Sequence, residues 1–382
     1  MEHPSVNCKF IKEDLIPDMV HNRYFCEPNS REFIELDFVT AEHFDNCTET
    51  SSPYYKKRVR FHHLSTCAEV HQVMADLLFS DKKKSFALIV KLHKRTSPPF
   101  DGFENEEMFY TKMSEMLQFG TDITPKCYLS DMRRYKQPIV VLEDLTARGY
   151  ASIDAGELDE NHLKVCVKTL ATFHGRGMKL RASQSSVFNE FRTNFWSSLE
   201  TTIEIDALFQ KHIEEEKKII ENKLGSSSAS SVLLEKTYKK MLKINSLVDE
   251  VTDVSTICHG HFLGDNVLFG YENGMPNDAK IMDWEQLRFS TPAVDFGTVL
   301  MANLPNETVP VLEKFCRDIL QFYIDVVKTE YPEVNCELLE RDILAKLLIG
   351  YFISRYLMGT NNDGCGGTLK ILELLYSLGS LD

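Results

Sequence analysis

The chain has 382 residues, of which 43% are hydrophobic and 10% aromatic, so it can form well-packed cores and is long enough for two or three domains. Its 57 acidic residues outnumber the 43 Lys and Arg and give a formal net charge of -14, without a long basic tract. These features argue against nucleic acid and membrane surfaces as partners, because both attract clustered positive charge.

The N-terminal residues MEHPSVNCKFIKEDL lack the apolar run and the small-residue cleavage site of a secretory signal, so we expect a cytoplasmic protein. Ten cysteines are scattered from Cys8 to Cys365 without a CxxC pair. This distribution is typical of reduced thiols inside a large intracellular protein rather than of a disulfide framework.

Four segments in the first hundred residues suggest regular structure. REFIELDFV (31–39) and YYKKRVRFHHL (54–64) are rich in aromatic and branched residues and are expected to form a hairpin. AEVHQVMADLLF (68–79) has the apolar spacing of a helix, and SFALIVKL (85–92) is a compact apolar strand that carries Lys91 near its end.

A helix is expected at FENEEMFYTKMSEML (103–117), which begins with acidic residues and then repeats apolar residues every three or four positions. PIVVLEDL (138–145) follows as another strand, and beyond it the pattern changes to longer helical segments. We therefore predict two domains, a β-rich one at 1–145 and a mainly helical one at 146–382.

The second domain contains three predicted helices and one polar segment. ENHLKVCVKTLATFHGRGM (160–178) is expected to be a helix closed by glycines, and KHIEEEKKIIENKLG (211–225) a charged helix that runs into the flexible segment SSSASS (226–231). ILAKLLIGYFISRYLM (343–358) contains Lys346 and Arg355 and is shorter than the roughly 18 unbroken apolar residues of a membrane span, so we interpret it as a buried helix.

Candidate chemistry is concentrated in ICHGHFLGDNVLF (257–269) and in the residues that follow it. NVLFGY (266–271) and AKIMDW (279–284) resemble two strands joined by the turn-forming residues ENGMPND, which would bring Asn266 and Asp283 together. An asparagine and an aspartate supply oxygen ligands suited to Mg²⁺. Glu285 lies two residues beyond Asp283 and would face the same way on a strand.

Four blocks of sequence together resemble one protein family. HGHFLGDN followed by IMDWE is similar to the paired motifs of the aminoglycoside phosphotransferase and choline kinase fold, a relative of the protein kinases. VLEDL (141–145), LATFH (170–174), CHGHFLGDNVLF (258–269) and TPAVDFG (291–297) follow the order of the ecdysteroid kinase-like (CHK kinase-like) family. The resemblance runs from about Lys91 to Leu300 and implies a two-lobed protein-kinase-like α+β fold.

The resemblance also implies roles for individual residues. Lys91 would bind the α and β phosphates of ATP, and Glu106 would pair with it, with Glu104 and Glu107 as alternatives. The VLEDL segment, with Glu143 and Leu145, would receive adenine at a hinge. Asn266 and Asp283 would bind Mg²⁺, with Glu285 beside them. Asp295 would support the catalytic loop.

Two features depart from the family pattern. The family has at position 261 an aspartate that accepts the proton of the substrate hydroxyl, and this chain has His261 there. A histidine with an unperturbed pKa of about 6.5 is mostly neutral at pH 7 and can still accept a proton. The neighbouring Asp265 is expected to point away from this position.

The second departure is the lack of glycine before Gly102. A turn whose backbone N–H groups hold phosphates normally needs glycine, and the corresponding segment TAEHFDNCTETSSP (40–53) is polar and carries three acidic residues instead.

We therefore expect a kinase that moves the ATP γ-phosphoryl group to a hydroxyl of a small molecule, such as an ecdysteroid or a similar alcohol, between the two lobes. A catalytically weak or inactive pseudokinase is the alternative, because of His261 and the missing glycines. His259 and His261 also form an HxH pair, so a zinc hydrolase is a third reading.

Overall fold

The computed structural model of the chain describes residues 6–43, 68–94, 102–135, 137–194, 218, 228–358 and 365–382. The chain forms two compact units. The first unit comprises Met1–Ser152, Leu268–Tyr271 and Lys280–Glu285, and the second comprises Ile153–Val267, Glu272–Ala279 and Gln286–Asp382.

The sequence predicts domains at 1–145 and 146–382; the first compact unit continues to Ser152 and also includes two short segments from later in the chain. Ser152 pairs with Leu268 across an antiparallel ladder. Ile281 donates its backbone N–H to Ile123 at 2.7 Å. Such pairings depend on residues more than a hundred positions apart, so the local sequence pattern does not reveal them.

The first unit is built on a five-stranded antiparallel sheet with the order β1-β2-β3-β5-β4. Its strands are β1 (Ile34–His43), β2 (Ala68–Phe79), β3 (Lys83–His93), β4 (Cys127–Asp131) and β5 (Ile139–Glu143). A helical N-terminal segment, α1 (Val6–Phe10, π-helical Ile11–Leu15 and Ile16–His21), precedes the sheet.

The two faces of this sheet have different roles. Leu88, Val90 and Leu92 of β3 point to one face and join the core formed with α1. Ile89 and Lys91 alternate with them and therefore point to the opposite face. The pleat of one apolar strand thus separates the main core from the candidate site.

Segment 68–79, predicted to be a helix, is the strand β2. It pairs with β3 along its whole length, from Ala68 opposite His93 to Leu78 opposite Lys83. Ala, Met and Leu favour helices, but the apolar residues at 73, 75, 77 and 79 alternate and enter the sheet core. The strand expected at 31–39 forms as β1, whereas its predicted partner at 54–64 lies outside the described residues.

The helix expected at 103–117 forms as α2 (Phe103–Met108, π-helical Phe109–Met113 and Ser114–Met116). The strand expected at 138–145 forms as β5, and a 3₁₀ turn at Leu145–Arg148 ends it. Two short strands, β6 (Ala151–Ser152) and β8 (Val267–Glu272), lie in a small sheet with β9 (Met275–Ile281). β8 forms at the strand expected at 266–271, whereas the second strand is shifted: β9 begins at Met275, inside the expected turn, and ends at Ile281 rather than at Trp284.

The second unit is mainly helical, in agreement with the predicted α+β class. Its helices are α3 (Glu160–Ser183), α4 (Ser185–Asn194), α5 (Ser228–Met241), α6 (Ile244–Asp249), α7 (Ala293–Ala302), α8 (Val309–Glu330), α9 (Cys336–Met358) and α10 (Cys365–Ser377). A two-stranded antiparallel ladder joins β7 (Thr256–Cys258) to β10 (Arg288–Ser290).

Helix α3 continues to Ser183 and does not end at its glycines as expected. A Cβ atom on Gly175 would lie 3.2 Å from the carbonyl oxygen of Val327, and one on Gly177 would lie 2.5 Å from Thr256 Oγ1. These glycines permit close packing within a helix, and they do not terminate it.

Two other predictions from the second half have different outcomes. Residues 228–231 of the expected flexible segment SSSASS begin helix α5. The charged helix predicted at 211–225 lies outside the described residues apart from Lys218.

The apolar segment 343–358 forms the end of α9 and is largely buried, as predicted. Its Lys346 is 4% exposed and bonds to Asp342 at 2.9 Å and to Glu250 at 2.8 Å, so the buried ammonium group is neutralised. Among the described residues, we find no helix with the length and apolar character needed to cross a membrane.

Candidate active site

Lys91 lies on the site-facing side of β3 in the first unit and is only 2% exposed. Its Nζ donates to both carboxylate oxygens of Glu106 at 2.9 and 3.0 Å and to Asp283 Oδ1 at 2.7 Å. Glu106 is completely buried on α2, whereas Glu104 is exposed and Glu107 is partly exposed. Of the three glutamates considered from the sequence, Glu106 is therefore the one in contact with Lys91.

Three carboxylates share this site with one ammonium group. Oxygens of Glu106, Asp283 and Glu285 lie within 4.8 Å of one another, and all three residues are buried. With Lys91 protonated and the acids ionised, the cluster carries two more negative than positive charges. Buried charges are stable only when they are compensated, so the three carboxylates are a group that could hold a divalent cation.

The pKa directions agree with this charge balance. Burial alone would lower the pKa of Lys91, but the charges of Asp283, Glu106 and Glu285 outweigh burial and raise that pKa well above its usual value. Burial raises the pKa of Glu106, against the opposing effect of Lys91. Lys91 is thus held as a cation, while burial and, to a smaller extent, the charge of Asp283 raise the pKa of Glu106.

The start of α2 is locked to the segment that carries Asp283 and Glu285. Asn105 Nδ2 donates to the carbonyl oxygen of Glu285 at 2.9 Å. Gly102 has φ +95°, and a Cβ atom there would lie 2.6 Å from the same oxygen, so this close approach requires glycine. Helix α2 and the carboxylates after β9 are therefore positioned by the same contacts.

Asp283 has a neighbour fixed by stacking and an unusual backbone angle. Trp284 stacks on Phe109 with ring centroids 3.7 Å apart and an interplanar angle of 10°. Asp283 itself has φ +67°, in the left-handed region that is uncommon for residues other than glycine, although aspartate adopts it more often than most. Such backbone strain persists only where the surroundings enforce it, and it is common at functional sites.

A shallow, open apolar pocket adjoins Lys91 within the first unit. Ile89 and Leu142 come from the sheet, and Leu145, Leu268 and Met282 pack together as a small apolar cluster. A slot with apolar walls and a charged end suits a flat heteroaromatic ring attached to an anionic group.

Glu143 and Leu145, assigned to the adenine hinge from the sequence, both line this pocket. Glu143 forms an ion pair with Arg148 at 3.3 Å. The neighbouring Asp144 accepts hydrogen bonds from Gln72 Nε2 at 2.8 Å and from Thr146 N at 3.0 Å. Asp144 therefore caps the 3₁₀ turn after β5, and the sequence did not reveal this role.

The catalytic-loop segment lies in the second unit, between β7 and β8. Asp295, at the start of α7, accepts the backbone N–H groups of His259 at 2.6 Å and of Gly260 at 2.8 Å. Burial would raise the pKa of Asp295, but the hydrogen bond from His174, the charges of His174 and His259 and the N–H of Gly260 lower it. An ionised Asp295 therefore holds the loop by its backbone.

Gly260 has φ +84°, and a Cβ atom there would lie 2.0 Å from the carbonyl oxygen of Gln286. Only glycine fits this turn, which positions His261 immediately after it. Asn266 donates through Nδ2 to the carbonyl oxygen of His261 at 2.9 Å. This bond fixes the orientation of the Asn266 amide and leaves its oxygen as the atom that could bind a cation.

Among the described residues, neither histidine of the HxH pair belongs to a group of three side chains that could hold a metal ion. The backbone N–H of His261 donates to His259 Nδ1 at 3.3 Å, which engages that ring nitrogen. The only group of three candidate ligands in the second unit's described residues is His174, Cys258 and Asp295. His174 and Asp295 bond to each other, and Cys258 Sγ donates to Thr291 O at 3.4 Å, so these residues support the loop.

Sequence reasoning missed Tyr323, whose hydroxyl is 2.7 Å from His174 Nδ1. Tyr323 lies on α8, outside every motif in the sequence, and only tertiary packing brings it to the loop support. His174 was recognisable from the LATFH block, although its contact with Asp295 was not.

Comparison with known proteins adds the following. The profile described as the ecdysteroid kinase-like family matches residues 65–335. The search among curated proteins gave no match.

Three solved structures of small-molecule kinases are similar to this chain. Wild-type aminoglycoside 2′-phosphotransferase-IIIa in its GDP complex is 13% identical, with 80% of this chain and 89% of that chain covered and a TM-score of 0.40. A macrolide 2′-phosphotransferase from Brachybacterium faecium is 11% identical, with 94% of this chain and 96% of that chain covered and a TM-score of 0.39. A microcompartment-associated aminopropanol kinase is 11% identical, with 96% of this chain and 99% of that chain covered and a TM-score of 0.41.

The profile match spans more than half of the chain and includes Lys91, Glu106, the loop 257–269, Asp283 and Asp295. This protein belongs to the ecdysteroid kinase-like family.

Proposed function

We propose that this protein is a small-molecule kinase that transfers the γ-phosphoryl group of ATP to an alcohol. The observation that carries the proposal is the buried ammonium group of Lys91 between Glu106 and Asp283, beside an apolar pocket. Membership of a kinase-like family supports it. In kinases generally, a strand lysine paired with a helix glutamate binds the nucleotide phosphates.

The first unit supplies the nucleotide site in this proposal. Adenine would enter the slot lined by Ile89, Leu142, Leu145 and Met282, and Lys91 would bind the phosphates. Asp283, with Glu285 beside it, would hold Mg²⁺, and the family resemblance also gives Asn266 a role as a metal ligand. When bound, Mg²⁺ neutralises phosphate charge, and it would also relieve the excess negative charge of the three carboxylates.

His261 would accept the proton of the acceptor hydroxyl. As the hydroxyl oxygen bonds to the γ-phosphorus, the bond from that phosphorus to the β-phosphate oxygen breaks and ADP leaves. The hydroxyl proton passes to the His261 imidazole and then to solvent. Phosphoryl transfer depends mainly on positioning and charge stabilisation, so a histidine base in place of the family's aspartate is compatible with turnover.

A pseudokinase that binds a small molecule or a partner is the second candidate. It is favoured by His261 at the family's aspartate position and by the lack of glycine before Gly102. Residues 44–53 of the segment that would cover the phosphates lie outside the described residues.

The decisive experiment is calorimetric titration of the full chain with ATP, with and without Mg²⁺, for the natural protein and for Asp283→Ala. Asp81→Ala is the matched control, since Asp81 is an exposed acid in the turn between β2 and β3 of the same unit. We expect Mg-dependent binding that Asp283→Ala removes and Asp81→Ala keeps.

Absence of binding at millimolar ATP would refute the nucleotide site. Binding of ATP without turnover on any alcohol would support the pseudokinase instead. Ecdysteroids are the first acceptors to screen, because they give the family its name.

A further inference from the structure

A buried chain of polar groups runs through three helices of the second unit to the loop that carries His261. The Tyr323 hydroxyl on α8 is 2.7 Å from His174 Nδ1 on α3, and His174 Nε2 is 3.0 Å from Asp295 Oδ2 on α7. Asp295 in turn accepts the backbone N–H groups of His259 and Gly260. Tyr323 and His174 are completely buried, and Asp295 is 1% exposed.

The available donors and acceptors indicate which ring nitrogen of His174 carries the proton. Among the described residues, His174 Nδ1 is the only hydrogen-bond partner of the Tyr323 hydroxyl. If His174 were protonated on Nδ1, its N–H would donate to the tyrosine oxygen. The tyrosine O–H would then have no acceptor among the described residues. With the proton on Nε2 alone, the tyrosine donates to Nδ1 and Nε2–H donates to Asp295, so every group is satisfied.

The orientation of Asp295 depends on this assignment. Its Oδ2 accepts from His174 and from His259 N, and its Oδ1 accepts from Gly260 N. A histidine ring that lost its proper tautomer would present a lone pair to the carboxylate. The carboxylate would then turn or move, and the two backbone bonds that define the loop would weaken.

We infer that Tyr323 is a positioning residue for the catalytic loop, because its hydroxyl fixes the Nε2–H tautomer of His174 and through it the Asp295 carboxylate that holds residues 259 and 260. The inference deepens the proposed function, since loop position matters for turnover only if the protein is a kinase. The hydroxyl of Tyr323 bonds to His174 and not to the backbone of residues 259 and 260, so its hydrogen-bonding effect on those two residues passes through His174 and Asp295.

The test is Tyr323→Phe, which removes one hydroxyl and keeps the ring that packs on Phe296. Hydrogen–deuterium exchange of the His259 and Gly260 amides is measured in the full chain. We expect both amides to exchange about tenfold faster in the variant, the effect of losing one buried hydrogen bond upstream of them. Exchange of amides in β3 of the first unit should not change.

Tyr351→Phe is the matched control, because Tyr351 is another tyrosine of the second unit that is 1% exposed and lies outside this network. It should leave the two loop amides unchanged. Adding Tyr323→Phe to a His174→Phe variant should give no further increase, because the path through His174 is already broken. Unchanged loop exchange in stable Tyr323→Phe, or equal effects of Tyr323→Phe and Tyr351→Phe, would overturn the inference.

A second measurement needs no folded variant at the tyrosine. In natural protein labelled with ¹⁵N at histidine, the His174 ring should show a protonated Nε2 and a hydrogen-bonded, unprotonated Nδ1 at pH 7.5. A ring protonated at Nδ1 would refute the assignment even if Tyr323→Phe fails to fold.

Activity separates this inference from the proposed function. If the natural protein forms ADP with an alcohol, Tyr323→Phe should lower kcat about tenfold and change KM for ATP less than about twofold, as expected for a loop-positioning group that does not bind nucleotide. If the natural protein has no turnover, the proposed function fails, whereas the exchange and tautomer measurements still decide the role of Tyr323.

Discussion

Lys91 is the residue on which the first unit's electrostatics depend. It is the one cation among three buried carboxylates, and its three hydrogen bonds leave none of its donors unused. Bringing these charges out of water is costly, and their mutual attraction offsets that cost only while each partner is present. We therefore interpret the cluster as the ligand site of the proposed function rather than as a source of folding stability.

Lys91→Met is expected to destabilise the first unit by about 3–5 kcal/mol, because it leaves Glu106 and Asp283 buried without a counter-charge. Lys82→Met, at an exposed lysine in the turn before β3, is the control and should change stability by less than about 0.5 kcal/mol. Denaturant unfolding at pH 7.5 measures both. A loss below about 1 kcal/mol for Lys91→Met would show that the carboxylates are not charged in the folded state.

The destabilisation by Lys91→Met should shrink in acid. Burial already raises the pKa of Glu106 above its ordinary 4.5, and loss of Lys91 removes an effect that lowers it. A carboxyl group whose pKa is raised by folding stabilises the folded state when it is protonated. This stabilisation is lost as the pH rises from about 4.5 through the pKa of the group in the folded state. Unfolding curves at pH 5 and pH 7.5 test this sign, which a constant difference would contradict.

His261 offers a test of the reaction at the same scale. His261→Ala is expected to lower kcat by about 10²- to 10⁴-fold, the usual contribution of a general base, while ATP affinity stays unchanged. His261→Asp, which restores the family's residue, should retain turnover. The assay is ADP formation with the accepted alcohol, and equal rates for the natural protein and His261→Ala would exclude His261 as the base.

Gly260 and Gly274 separate backbone conformation from steric contact. Both have positive φ, +84° and +78°, but a Cβ atom on Gly274 meets nothing within 4 Å, whereas one on Gly260 would collide with Gln286 O. Gly274→Ala should cost about 1–2 kcal/mol for the left-handed backbone alone. Gly260→Ala should exceed it by about 1–3 kcal/mol. Thermal unfolding of the two variants compares them, and equal losses would mean that the loop can move away freely.

At the scale of elements, α7 and α9 of the second unit approach each other through Gly297 and Gly350. A Cβ atom on Gly350 would lie 2.1 Å from the carbonyl carbon of Gly297. Helix α7 carries Asp295, so the spacing of this helix pair also sets the position of the residue that holds the loop.

Gly350→Ala tests this helix contact. Alanine would favour the helix by about 1 kcal/mol, but overpacking against backbone costs up to about 3 kcal/mol, so we expect a net loss of about 2 kcal/mol. Glu373→Ala, at an exposed position of α10, should stay within about 0.5 kcal/mol. Chemical denaturation measures both, and an increase in stability for Gly350→Ala would contradict the contact.

Two elements show how local patterns mislead. Segment 68–79 has helix-forming residues yet forms β2, because pairing with β3 satisfies its backbone over eleven residue pairs. Glycines in α3 look like helix ends yet lie inside the helix, since neighbouring backbone packs on them. In both elements tertiary contacts outweigh local preferences of about 1 kcal/mol per residue or less.

For the whole molecule, the formal charge of -14 predicts little affinity for polyanions. We expect no retention on heparin and no binding to duplex DNA or anionic vesicles at 0.15 M salt, where only close charges interact. A labelled duplex in an anisotropy titration measures this directly. Salt-sensitive binding with micromolar affinity would reveal a basic surface that the net charge conceals.

The sequence by itself determined the family, the α+β class and the identity of the chemical groups. Apolar strands such as SFALIVKL and motifs such as HGHFLGDN depend on neighbouring residues, so their pattern is readable in one dimension. It also predicted Lys91, Asn266, Asp283 and Glu285 as site residues, although their roles stay predictions.

Only the tertiary structure decided which glutamate meets Lys91, that Asp144 is a cap, and that Tyr323 reaches His174. It also assigned 268–271 and 280–285 to the first unit. These facts depend on contacts between residues far apart in the chain, and such contacts form only when packing makes up for the entropy of closing long loops. No local pattern encodes these contacts. The residues that position the site are therefore known from the fold, whereas the chemical groups of the site were predicted from the sequence.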